Sequence, residues 1–67
     1  MREWLKEKRK ETGTTMDEIA SALNISTAYY SLIESGQRQK KMDITLAQKL
    51  AAFFGMTLSA VVKLEET

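Results

Sequence analysis

Apolar positions along the chain repeat at helical spacing. Met16, Ile19, Ala20 and Leu23 fall at i, i+3, i+4 and i+7, on one face of a helix. Tyr30 and Ile33 repeat at i, i+3 on a face that Ile25 leads into, and Leu46, Leu50, Phe53 and Phe54 form a third set. Leu58, Val61, Val62 and Leu64 form a fourth, and Leu5 with Trp4, Lys8 and Arg9 makes an inner stripe near the N-terminus. No segment alternates apolar and polar residues with β-branched enrichment, as a half-buried strand does.

The breaks between these stripes are sharp. Gly13, Gly36 and Gly55 each follow a helix-like segment, where the chain leaves a helix through a left-handed residue. Asn24 is a fourth break, because Asn tolerates positive φ better than most side chains. The starts are marked as well. Thr15 with Glu18 three residues later makes a capping box, and Asp17 adds negative charge to the first turn. Ser26, Asp43 and Thr57 stand where N-caps belong. The pattern predicts helices over about 2–12, 15–23, 26–35, 43–54 and 57–64, in a single domain spanning 1–67. Helices this short with such brief links form an all-α, compact five-helix bundle. The tightest link, Asn24-Ile25, makes helices two and three cross steeply, and small Ala20 lets their backbones approach. This is a helix-turn-helix unit over about 16–35.

Composition removes most chemistry. The 67 residues include no His and no Cys, which excludes histidine-based nucleophile systems, ordinary zinc sites and disulfides. The acids are scattered, and Ser26, Ser31 and Ser35 have no base beside them. No enzyme, cofactor or metal site is expected. Apolar runs fall far short of the ~20 residues of a membrane span, and the charged N-terminus carries no leader pattern. The expectation is a cytoplasmic protein with no membrane partner.

The net charge of +1 is a poor argument for nucleic acid when summed over the chain. Resolved along it, Gln37-Arg38-Gln39-Lys40-Lys41 carries three cations and no acid. Arg2, Lys6 and Lys10 are offset by Glu3, Glu7 and Glu11 and read as a solvated face, with Glu65 and Glu66 at the far end of the chain.

The stretch Thr15-Met16-Asp17-Glu18-Ile19-Ala20-Ser21-Ala22-Leu23-Asn24-Ile25-Ser26, followed by Tyr30-Ser31-Leu32-Ile33-Glu34-Ser35-Gly36-Gln37-Arg38, resembles the Xre/Cro-like (phage repressor type) transcriptional regulators. The likeness runs from Leu5 to Leu64. It implies the lambda-repressor-like bundle, with Ala20, Leu23, Asn24, Ile25, Tyr30 and Ile33 in structural positions. It also implies a pair between Arg9 on the first helix and Glu34 at the end of the third.

The resemblance further implies that helix 26–35 lies in the major groove of double-stranded DNA. The base-facing positions are then Thr27, Ala28 and Leu32. Phosphate or groove-edge positions are Met16, Ser26, Tyr29, Ser31, Gln37, Arg38, Lys40 and Lys41. Ala28, Leu32 and Met16 carry no hydrogen-bonding group, so bidentate amide or Arg contacts to bases are unavailable there. Two readings follow. In one, Ala28 and Leu32 contact thymine methyls while Thr27 hydrogen-bonds, and a homodimer represses from a palindromic operator. In the other, the same surface is a protein–protein module: an antitoxin, an antirepressor or a regulator subunit. Leu58, Val61, Val62 and Leu64 make the fifth helix a possible dimer face.

Overall fold

The computed structural model describes residues 1–66. Five helices follow one another: α1 (Glu3–Glu11), α2 (Met16–Leu23), α3 (Thr27–Ser35), α4 (Ile44–Phe54) and α5 (Leu58–Glu66). There is no strand among the described residues. The first four helices lie within a residue of the spans the pattern predicts, and α5 runs two residues further.

Each boundary has a local cause. Thr15 accepts from the Glu18 amide, and the Glu18 side chain reaches back to the Thr15 amide, closing the capping box of α2. Ser26 accepts from the Tyr29 amide, Asp43 from that of Leu46 and Thr57 from that of Ala60. At the other ends, Asn24 (φ +61°) and Gly36 (φ +85°) turn left-handed. Their amides bond carbonyls of the preceding turn, which partners some of the orphan carbonyls at these two helix ends.

The core gathers one residue set from each helix. Leu5, Ile19, Ala20, Leu23, Tyr30, Ile33, Leu46 and Leu50 form its main cluster, with Trp4, Met16, Ile25, Tyr29, Phe53 and Phe54 packed around it. A second cluster, Ala47, Ala51 and Val61, joins α4 to α5. Burying a side chain the size of Leu or Ile contributes about 1.5–3 kcal/mol, so seven large, fully buried side chains carry most of the folding drive. The helix pairs in closest contact are α2 with α3 and α4, α4 with α5, and α1 with α3.

Two sequence expectations change here. Arg2 is not part of a solvated face: it is 8% exposed and its guanidinium lies among carbonyl oxygens. Glu65, far away in sequence, is its partner at 2.8 Å. Val61 is fully buried against α4, so it presents nothing to a second molecule. The helical period turns Val62 outward instead, at 42% exposure. Leu58 packs against the Ala47–Ala51–Val61 cluster, and Leu64 borders a cleft beside Arg2 and Trp4.

Candidate nucleic-acid interface

The helix-turn-helix is built around α3, which has two unlike faces. Tyr30, Ile33 and Glu34 point inward and are buried. Ser26, Thr27, Ala28 and Ser31 are exposed, and Tyr29 and Leu32 are half-buried at the border. The outward face therefore begins at the helix N-terminus, the positive end of the helix dipole.

What holds that face in place is a polar knot on the opposite side. Arg9 donates from Nε to Glu34 Oε2 at 3.0 Å and from Nη2 to Glu34 Oε1 at 3.2 Å, a two-point grip. Its Nη1 donates to the Thr14 carbonyl at 3.1 Å. The Tyr30 hydroxyl donates to Glu34 Oε2 at 2.7 Å. Burial pushes the Glu34 pKa up. The hydrogen bonds from Arg9 and Tyr30, with the Arg9 charge, more than offset it and leave the carboxyl below its ordinary range. Burial, then the bond to Glu34, pushes the Tyr30 hydroxyl above its ordinary range. The knot locks α1 to the C-terminal half of α3.

The residues expected to contact DNA are not all unengaged. The Thr27 hydroxyl donates to Asp17 Oδ1 at 2.6 Å, tying the start of α3 to the start of α2. The Tyr29 hydroxyl accepts from Gln39 Nε2 at 2.9 Å. Gln39 Oε1 in turn accepts from the Asp43 amide at 3.0 Å, and Gln39 itself sits at φ +55°. Ala28 and Ser31 carry no such engagement and stay exposed. Met16 is half-buried against the core, leaving only part of its side chain outside.

The basic loop after α3 is attached closely to that helix. The Gln37 and Arg38 amides both donate to the Leu32 carbonyl, at 2.9 and 3.1 Å. Arg38, Lys40 and Lys41 are exposed, and neither ion pair found among the described residues involves them. Arg2 holds the loop from beneath. Sequence reasoning missed this residue, because the carbonyls it binds leave no mark in the residue types around it.

The second helix of a tight helix-turn-helix thus carries an exposed outer face, flanked by three exposed cations on the loop that follows it. A protein-family model described as "Helix-turn-helix" matches residues 5–61. The chain belongs to this helix-turn-helix family, of the Xre/Cro type. It is 42% identical over 55 residues to the uncharacterized HTH-type transcriptional regulator YqaF of Bacillus subtilis (strain 168). That match covers 82% of this chain and 70% of the relative. No solved structure matches it. No single helix among the described residues is long and apolar enough to cross a membrane.

Proposed function

We propose that this chain is a sequence-specific DNA-binding repressor that acts as a homodimer on a two-fold-related operator, with α3 in the major groove. The reading rests chiefly on one arrangement: the exposed α3 face lies next to three exposed cations on a loop hydrogen-bonded to that helix. Cations placed beside a groove-reading helix supply phosphate affinity, and the helix supplies discrimination. Binding rather than catalysis is part of the proposal.

Base reading in this scheme is largely apolar. Ala28 and Leu32 meet thymine methyls, Ser26 and Ser31 reach phosphate or groove edge, and the local shape of the duplex supplies the rest. Thr27, whose hydroxyl hydrogen goes to Asp17, reads a base by accepting from an adenine or cytosine amino group. Tyr29 donates its hydroxyl hydrogen to a phosphate while still accepting from Gln39, since a phenol does both.

The dimer argument is one of size and of a groove beside α5. The Cα envelope measures 25 × 24 × 20 Å, less than the ~34 Å between successive major-groove half-sites, so one copy reads one half-site. A groove of about 400 Å³ beside α5 is bordered by Met42, Ala47 and the exposed Val62. Lys40 and Lys41 stand on its rim with Glu65 and Glu66. A two-fold axis there buries Val62 against its copy and leaves Lys40 and Lys41 on the rim, free for phosphate.

Salt dependence tests the reading. Arg38→Ala and Lys40→Ala are each expected to weaken binding to every sequence and lower the salt slope by about one unit. Leu32 substitutions are expected to change which sequences are preferred. Uniform loss from Leu32 variants, with unchanged slopes from the loop variants, contradicts the placement. It favours the protein-partner reading of the apolar set Met16, Ala28, Tyr29 and Leu32.

A further inference from the structure

We infer that Arg2 is a positioning residue for DNA backbone contact: it clamps the basic loop into the conformation that presents Arg38, Lys40 and Lys41, and Glu65 on α5 holds the clamp. The inference rests on the DNA reading above and adds to it a part that the helix-turn-helix unit does not contain.

The contacts are unusually one-sided. The Arg2 backbone amide donates to the Glu34 carbonyl at 2.9 Å, seating the chain on the end of α3. From there the guanidinium reaches under the loop. Nη1 donates to the Ile33 carbonyl at 2.6 Å and to the Arg38 carbonyl at 3.2 Å, and Nη2 donates to the Gln39 carbonyl. Nε donates to Glu65 Oε2 at 2.8 Å, and the same oxygen accepts from Trp4 Nε1 at 2.7 Å. One planar group thus joins the last turn of α3, two loop carbonyls and the last turn of α5. A lysine ammonium has neither the fork nor the number of donors to do this.

The loop needs such a clamp. Gln39 adopts a left-handed conformation that costs a non-glycine residue energy, and it persists only where its surroundings impose it. Its carbonyl is held by Arg2, and its side chain is held between the Tyr29 hydroxyl and the Asp43 amide. The loop is therefore pinned from both sides, while its three cationic side chains stay exposed. Three cations on an ordered segment meet phosphates without the ordering cost that a mobile one incurs on binding. The same geometry ties the loop to α5, so a disturbance of the last turn of α5 reaches the loop through Glu65 and Arg2.

The test compares Arg2→Met with Lys10→Met, which removes an exposed cation of α1 at equal charge. Glu65→Ala is the third variant. It removes the acceptor and raises the net charge by one, so charge alone would tighten DNA binding. Salt slopes are measured on a fixed duplex, and hydrogen exchange is followed at the Gln37 and Arg38 amides of the free proteins, with circular dichroism confirming the fold. The clamp predicts that Arg2→Met and Glu65→Ala lower the slope by about one unit and speed that exchange, while Lys10→Met does neither. If Arg2→Met does not fold, Glu65→Ala carries the comparison. Wild-type slope and exchange in the folded clamp variants overturn the inference alone. A wild-type protein with no salt-dependent duplex binding overturns the DNA reading, and the clamp's purpose with it.

Discussion

At the scale of single residues, Glu34 is the most consequential side chain. It is 3% exposed and accepts from Arg9 twice and Tyr30 once, so removing any partner leaves a buried charge short of donors. Arg9→Ala is expected to cost about 3–5 kcal/mol in chemical denaturation, since breaking a buried pair exposes its full desolvation cost. Tyr30→Phe, which removes one donor and keeps the ring, is expected to cost about 1–3 kcal/mol. The pH profile follows from the same group. The Glu34 pKa is lowered by folding, so its contribution is full above the ordinary value of 4.5 and is lost as pH falls through the folded pKa. Tyr30 is raised above its ordinary 10.0, so stability falls again as pH rises past 10 and the unfolded phenol ionises first. Equilibrium unfolding across pH is expected to show a plateau between these limbs, and Glu34→Gln to blunt the acid limb. An acid limb unchanged in Glu34→Gln would place the acid sensitivity elsewhere.

At the scale of elements, the caps were readable because each is a local signal. Thr15 and Glu18 lie three residues apart, and Asn24 ends a periodic stripe, so neither needs tertiary information to be seen. Asp43→Ala is expected to cost about 1 kcal/mol through the lost bond to the Leu46 amide, measurable as a shift in denaturation midpoint. The contacts that escaped the sequence are those between elements. Arg2 binds groups 31 to 63 residues away, mostly carbonyls, which every residue type carries alike. Thr27 and Asp17, ten residues apart on different helices, pair only once α2 and α3 have crossed. The inward turn of Val61 was hidden for a related reason. Leu58, Val61 and Val62 share one stripe, and which of them α4 covers depends on the crossing angle. Val62→Glu is therefore expected to leave monomer stability within about 0.5 kcal/mol while shifting sedimentation toward the monomer. A Val62→Glu protein that sediments as the wild-type protein does would move the proposed dimer interface off this face.

At the scale of the whole molecule, a net charge of +1 is distributed so that its useful part is local. Glu65 neutralises Arg2 and Glu34 neutralises Arg9, while Arg38, Lys40 and Lys41 face outward beside α3. In the proposed DNA reading this arrangement gives modest non-specific affinity and leaves discrimination to α3 and to the pairing of two half-sites. The five-helix architecture was legible from periodicity and punctuation. The surface assigned to DNA was legible only as positions, since hydroxyls such as those of Thr27 and Tyr29 had partners the sequence does not pair. The most direct test of the central claim is selection of bound duplexes from a random pool at low salt, followed by sequencing. A two-fold-related site with half-sites about one helical turn apart is the result this account predicts. A folded protein that enriches no such sequence contradicts it.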